Sequence, residues 1–585
     1  MEVSPSTVKA IERARIWYVL VLLVMTVFFV RLFYLQVIRY DHYRNLALSD
    51  QLKQYEIPAS RGTIKAHQGS SVVPIVLNQQ LFSVYVDPTL VKDAGQAAET
   101  LANVLGGDAN AFEKKLKTKH TRYVVLAKKV SEDKKKSILK HKYPGIGAMA
   151  QDYRVYPDGA LASQLLGFVN NDGKGVYGIE QSLQPQLAGS AGKLKAVTDI
   201  NGIPLAANTD NTLEQPVAGK DVVLTIDMAV QKQLETILQQ GLKSAKSDSG
   251  SALIMDPRTG AIKAMANWPT YDPGNYGAVE DANVFNNAAV SSPLEVGSIM
   301  KPLTAAAALD QGVVKANTSY YDPASWKIDG YKITNIEEDG GAGTKSIADI
   351  LNLSLNTGAT WLLMQMGGHS EQVNQKGRTA WYSYMTDHYQ FGKPTGIEQG
   401  YEAEGYIPSP NTGYGLDLTY ANTSFGQGMT ATPVQMGAAL SAVINGGTYY
   451  RPRLVDQTIA ADGKATAKKP EIVKSGVVSP QVSQEMQGLM AYIVKGHGLK
   501  FNTNYVVGGK TGTAQIAKSG GGYHDNEFNG TYMGFVGGDS PQYVVVVRVN
   551  QPHNGGYAGT AAAQPIFSNL VTMLINNFGV APKTR

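Results

Sequence analysis

Cysteine is absent from the 585-residue chain, which excludes disulfides, cysteine-ligated zinc and a lipidated N-terminal cysteine. Histidine is scarce, nine in all, and none falls in a metal-binding spacing such as HExxH, so neither a metal nor a cofactor is implied. A large excess of either charge is missing too. The formal net charge is only +5, no nucleic-acid motif accompanies it, and no nucleic-acid partner is expected. Long apolar runs are limited to one, residues 16–38, broken only by Arg31 and Gln36. Such a run spans the roughly 30 Å of a bilayer's hydrocarbon, with Arg31 near enough to one end to snorkel, and it reads as a single-pass membrane anchor. The alternative is a signal peptide cleaved near Ala47-Leu48-Ser49, but the run is longer than an ordinary signal core. Lys9, Arg13 and Arg15 before it balance Arg39, Arg44 and Lys53 after it, so basic residues do not orient the span.

What is present is a globular composition, 43% apolar and 17% charged, in a chain too long for one ordinary core. Two or three domains are expected behind the anchor. From Leu52 onward short β-like runs, among them 72–77 and 82–87, alternate with Gly, Ser and Pro. Residues 111–143 carry a dense set of lysines around a strand-like stretch at 123–126, a solvated face or, alternatively, an anion-binding surface. A turn-rich stretch at 201–219 leads into an apolar run at 222–226 and a helical pattern from Asp227, a domain boundary. Residues 251–255 and 261–265 flank Asp256-Pro257-Arg258-Thr259-Gly260 as a hairpin. Further β-rich stretches at 505–508, 531–536 and 543–549 precede a helical pattern at 566–578.

Ser298 and Lys301 are the centre of the chemistry. Three residues apart on a helix they share a face, so a neutral Lys301 can take the Ser298 hydroxyl proton while the oxygen attacks an acyl carbon. The same spacing recurs at Ser6 with Lys9, Ser131 with Lys134, Ser137 with Lys140 and Ser190 with Lys193. Context separates Ser298 from these. Gly297 permits a sharp entry into a helix, Pro302 falls in its first turn, and alanines follow. Ser354-Leu355-Asn356 and Lys510-Thr511-Gly512-Thr513 come later, in order.

With these motifs the chain resembles the class B penicillin-binding proteins, the membrane-anchored peptidoglycan D,D-transpeptidases. Arg61-Gly62-Thr63-Ile64, Tyr156-Pro157-Asp158-Gly159, Gly178-Ile179-Glu180 and Ser424-Phe425-Gly426-Gln427-Gly428 fit the same family. Two positions depart from it: Lys65-Ala66-His67 replaces the usual acidic and glycine residues, and Val296 stands where proline is common. The resemblance implies an α/β (α+β) penicillin-binding transpeptidase fold, an antiparallel sheet flanked by helices. It implies a short cytoplasmic tail at 1–15, a transmembrane helix at 16–38, a pedestal or dimerisation-like domain at 39–219 and a transpeptidase domain at 220–585. Ser298 would be the nucleophile and Lys301 its base, Ser354 the proton relay and Asn356 a substrate-backbone contact. Lys510, Thr511, Gly512 and Thr513 would hold the substrate, with Ser298 and Thr513 N–H groups as the oxyanion hole. An ammonium with an ordinary value of about 10.4 must be made neutral, by desolvation or by the charge of Lys510 in the same cleft.

The expected partners are peptidoglycan stem peptides, β-lactams as covalent inhibitors, the membrane, a SEDS-type glycosyltransferase and other division proteins. The expected location is the bacterial inner (cytoplasmic) membrane, catalytic domain outward. The Ser-Phe-Gly-Gln-Gly and Lys-Thr-Gly-Thr-Ala-Gln stretches favour the septal over the elongation type. Competing readings are a β-lactamase or antibiotic sensor, disfavoured as sensor by the fifteen or so residues before the span, and a mainly structural activator of a glycosyltransferase.

Overall fold

The computed structural model describes residues 5–197, 212–335, 341–518 and 522–584. They form two compact units, one of residues 1–60 and 189–218, the other of residues 61–188 and 219–585. Part of the turn-rich stretch read at 201–219 lies outside the described residues.

In the first unit a helix over Pro5–Phe33 continues through one wider turn, Tyr34–Ile38, toward a second helix at Tyr40–Gln51. Ala14–Ile38 is 25 residues long with a peak mean hydropathy of 2.4 and is, among the described residues, the one helix long and apolar enough to cross a membrane. Its apolar side chains face outward all round, as a lipid-embedded helix requires. A three-stranded antiparallel sheet follows, built from Leu52–Ile57, Gly192–Val197 and Thr212–Glu214.

The second unit begins with a seven-stranded mixed sheet. Ile64–Gln68 pairs antiparallel with Ser71–Val86 and parallel with Asp221–Asp227, which also pairs with Val455–Ile459. The two runs expected at 72–77 and 82–87 are one 16-residue strand. Its polar middle, Asn78-Gln79-Gln80, is paired with Asp152, Tyr153 and Arg154 of the strand Ile146–Val155. The family-like markers meet here: Glu180, fully buried, receives the Arg61 guanidinium on one oxygen and Arg154 Nε at 2.7 Å on the other. A buried carboxylate held by two guanidiniums ties three distant segments together, and removing one partner would leave a buried charge.

The remainder of this unit is organised by a five-stranded antiparallel sheet. We label its strands β1 (Ser249–Met255), β2 (Ile262–Trp268), β3 (Val506–Ala517), β4 (Tyr523–Gly537) and β5 (Pro541–Asn550), and the order across the sheet is β2-β1-β5-β4-β3. The period of two decides which side each residue serves. On β5, Val545, Val547 and Val549 pack on one face with α1 (Met228–Ala245) and α6 (Gln564–Asn577), while Val544 and Val546 join the larger core on the other. Helix α1 starts where Asp227 caps the N–H groups of Ala229 and Val230 at 2.9 and 3.2 Å, and it buries Val230, Leu234, Leu238 and Leu242 at a four-residue spacing. The opposite core holds α2 (Lys301–Asp310), α3 (Asn356–Met366), α4 (Pro433–Ile444) and α5 (Pro480–Gly496). Helix α2 is buried from Lys301 to Leu309, and its run of alanines lets neighbours approach from every side. The architecture is the expected one: an apolar helix, β-rich segments, then an antiparallel sheet between helices.

Candidate active site

Ser298 sits on a single tight turn, Gly297–Met300, that opens into α2. Gly297 has φ +63°, and a Cβ there would lie 2.9 Å from the Thr513 carbonyl oxygen, so two backbones touch where only glycine fits. The turn is pinned from several sides. Gly297 N–H donates to Gly426 O at 3.0 Å, Thr531 Oγ1 to Val296 O at 3.0 Å, and Thr304 Oγ1 to Ser424 O at 2.7 Å. The Ser-Phe-Gly-Gln-Gly segment is thus part of the mount for the Ser298 turn. Glu295 accepts from Gly428 N–H at 2.9 Å and Tyr523 O–H at 3.1 Å, and burial raises its carboxyl above the usual range against the pull of those two bonds.

Lys301, 1% exposed, lies directly behind Ser298. Its Nζ is 2.9 Å from Ser298 Oγ, 3.1 Å from Ser354 Oγ and 2.9 Å from Asn356 Oδ1, and it also donates to the Ser354 carbonyl. Ser354 reaches this position in a left-handed conformation, φ +57°, unusual for a residue with a side chain, in the short connection between the helix Ile347–Asn352 and α3. Asn356 opens α3 and anchors its amide on Thr334 O at 3.0 Å.

Strand β3 is an edge of the sheet, and Lys510 to Thr513 lie within it, paired with Met533 to Gly530 of β4. Lys510 is fully buried and donates to Thr511 O at 3.0 Å and Thr511 Oγ1 at 3.3 Å. A Cβ on Gly512 would meet Thr531 Oγ1 at 2.3 Å and Val296 O at 2.9 Å, so its bare backbone lets β3 close on the Gly297–Met300 turn. Thr513 Oγ1 accepts from Gly559 N–H at 3.0 Å. An open edge with a lysine, a hydroxyl and unobstructed backbone can take an extended peptide as an added strand.

These residues converge on one cleft of about 550 Å³, lined by Ser298, Ser354, Asn356, Lys510, Thr511 and Thr513. Lys301 and Gly512 stand immediately behind its wall. The sequence did not single out His497, Phe528 or Tyr557, which also line it and come from the end of α5, from β4 and from the loop after β5. No motif marks them. His497 Nε2 lies 3.1 Å from Asn352 O, and burial, then the charge of Lys510, hold its imidazole below the usual range against that bond. A lowered value means that the unfolded chain takes the proton first, so stability is lost as pH falls from the unfolded value of about 6.5 through the folded one. Replacing His497 by glutamine, which keeps an N–H donor, is expected to flatten the fall of Tm with pH in that window and to change Tm little above it. Among the described residues no group of His, Asp or Glu is placed to hold a metal ion.

A serine whose hydroxyl rests on a buried lysine, beside a peptide-sized cleft with an open strand edge, defines a serine acyl-transfer site. Residues 250–572 match the penicillin binding protein transpeptidase domain, and residues 56–224 the penicillin-binding protein dimerisation domain. The chain is 31% identical to the stage V sporulation protein D of Bacillus subtilis over all of its own length and 88% of that protein. It is 28% identical to the peptidoglycan D,D-transpeptidase FtsI of Escherichia coli K12, covering 96% and 91% of the two chains. Among solved structures, penicillin-binding protein 2X of Streptococcus thermophilus superposes with a TM-score of 0.71 over 89% of this chain and 80% of that one, at 24% identity, a likeness of fold. The chain belongs to the penicillin-binding protein transpeptidases.

Proposed function

We propose that the chain is a peptidoglycan D,D-transpeptidase of the septal type that works through an acyl-enzyme on Ser298. As the Ser298 Oγ–carbon bond forms, the bond to the terminal D-alanine of one stem peptide breaks. Lys301 Nζ takes the hydroxyl proton, and Ser354 Oγ passes one to the leaving amine. The amine of a second stem then attacks and gives up a proton to Lys301 Nζ, the serine ester breaks, and Lys301 passes that proton to Oγ. Charge on the tetrahedral intermediate is met by the N–H groups of Ser298 and Thr513, while Lys510 and Thr511 receive the substrate's carboxylate. Asn356 holds the donor backbone and Gly512 leaves room for it. The observation that carries this reading is Lys301 Nζ within 2.9 Å of Ser298 Oγ and 3.1 Å of Ser354 Oγ. Incubating the full chain with stem-peptide-bearing peptidoglycan is expected to yield cross-linked stems and free D-alanine in equal amounts, and none of either after penicillin. Release of D-alanine without cross-links would make it a carboxypeptidase instead.

The septal assignment is supported by the relatives named FtsI. A fluorescent fusion is expected at the division site, and an even distribution along the cell wall would favour the elongation type. We assign residues 39–219 to a pedestal, 220–585 to the transpeptidase domain, and the latter to the outer side of the cytoplasmic membrane. The natural partners are a SEDS-type glycosyltransferase and other division proteins. Because the apolar stretch Ala14–Ile38 is the candidate anchor, deleting residues before about Asp41 is expected to move the protein to the soluble fraction while penicillin still labels it. Continued pelleting of the truncated protein with vesicles would place a lipid-binding surface elsewhere, the lysine-rich stretch at 111–143 being the first to test.

A further inference from the structure

A second cavity, of about 280 Å³, lies among Arg548, Asn550, Trp268, Asn283, Asn286 and Asp281. Arg548 is on β5, opposite Ser251 of β1 and Thr531 of β4. Its Nε donates to Asn550 Oδ1 at 2.6 Å and one terminal nitrogen to Ser292 O at 2.6 Å. Both acceptors are neutral. Among the described residues no carboxylate is within ion-pair distance of this guanidinium, whereas Arg61, Arg154, Arg378 and Arg451 each have one. A guanidinium carries five N–H donors and two are spent, so three make no hydrogen bond among the described residues. Burial pushes Arg548 down to about 10, which still leaves it charged at neutral pH.

The rest of the lining fits an anion with an amide body. The side-chain amides of Asn283, which is exposed, and of Asn286, which is half-buried, make no hydrogen bond among the described residues, and both residues line the cavity with Arg548. Trp268 adds a flat apolar wall. A desolvated positive charge with unused donors favours an oxyanion, which a planar fork binds through two parallel bonds. At about 280 Å³ the cavity is at the small end of ligand pockets, the size of an amino acid derivative or a dipeptide. Asp281 at the rim repels a second negative charge, which favours a carboxylate over a phosphate dianion.

We propose that this cavity is a binding site for a small ligand ending in a carboxylate, an acylated amino acid or short peptide, with Arg548 as its anchor and Asn283 and Asn286 on its amide groups. The site is separate in its residues from the Ser298 cleft, and Arg548 joins the two. The Arg548 guanidinium that would take the carboxylate also holds Ser292 O, six residues before the nucleophile.

The test uses full-length protein in detergent, pretreated with benzylpenicillin so that the first cleft is filled, and probes it with N-acetyl-D-alanine, N-acetyl-D-alaninamide and inorganic phosphate. Tryptophan fluorescence and calorimetry read the binding. Saturable binding of N-acetyl-D-alanine is expected, at least tenfold weaker for the amide and for phosphate, with the fluorescence change lost in Trp268→Phe. Arg548→Lys, which keeps the charge and loses the fork, is expected to weaken binding at least tenfold. If Arg548→Lys does not fold, the wild-type comparison of acid with amide and the Trp268→Phe response decide alone. No saturable binding, equal binding of the amide, preference for phosphate, or a response that survives Trp268→Phe would each overturn the proposal. Untreated protein is run in parallel, so that a failure of penicillin to acylate Ser298 reads out separately from a failure of this cavity to bind.

Discussion

Full-length protein treated with benzylpenicillin is expected to gain one covalent adduct, on Ser298, and Ser298→Ala protein to gain none. Two serines flank Lys301 Nζ, Ser298 at 2.9 Å and Ser354 at 3.1 Å, so proximity to the lysine alone does not choose between them. The backbone does. Ser298 lies on the turn whose glycine touches Thr513 of the open strand edge, where an acyl group would find two N–H donors, whereas the Ser354 carbonyl is itself engaged by Lys301. The alanine variant removes a single oxygen whose one recorded partner is Lys301, so a stability change of about 1 kcal/mol is expected. Intact mass, peptide mapping of the labelled protein and a thermal unfolding curve read all three quantities. An adduct on Ser354 or any other serine would overturn the assignment.

The parts of this site that were legible in the sequence are those that local chemistry brings together. Ser298 and Lys301 are adjacent on one turn, and Lys510 to Thr513 are consecutive on one strand, so each piece carries its own signature. The joining of the pieces is not local. Ser354 meets Lys301 across 53 residues, and Glu295 meets Tyr523 across 228. His497, Phe528 and Tyr557 carry no mark because only the packing of α5, the β3–β4 pair and the loop after β5 brings them to the cleft. In the fold, the β-rich stretch at 543–549 and the helical pattern from Asp227 mark their elements, while the strand Ser71–Val86 reads as two. Its middle is polar, and polar residues inside a strand look like a break until the partner that pairs with them, Asp152 to Arg154, is known. Arg548 shows the same limit from the other side. An arginine in an otherwise apolar strand, Val544 to Val549, is visible in the sequence, but its lack of a carboxylate partner among the described residues is a property of the fold alone.

Replacing Lys301 by methionine is expected to lower the saturating rate of acylation by about 10²–10⁴-fold, the usual range for loss of a positioned base, with the affinity of the first encounter nearly unchanged. Methionine matches the length of the side chain and its apolar stem but cannot accept a proton. The lysine nitrogen has four oxygens within reach, those of Ser298, Asn356 and two of Ser354, and an ammonium can donate only three hydrogens. Once neutral it keeps two, enough for Asn356 and one Ser354 oxygen, and its lone pair is left to accept the Ser298 O–H. In that state Lys301 can serve as the base that the proposed reaction requires. The split between the two kinetic constants separates this role from a structural one, because Lys301 is buried behind the residues that line the cleft. A structural lysine would give a different pattern: methionine would unseat Ser354 and Asn356, affinity and rate would fall together, and Tm would drop by several degrees. Arginine at 301 supplies the control, since it keeps the charge and hydrogen-bond donors yet cannot be deprotonated. Acylation of Lys301→Arg at a rate close to that of the parent protein would sink the assignment of Lys301 as base.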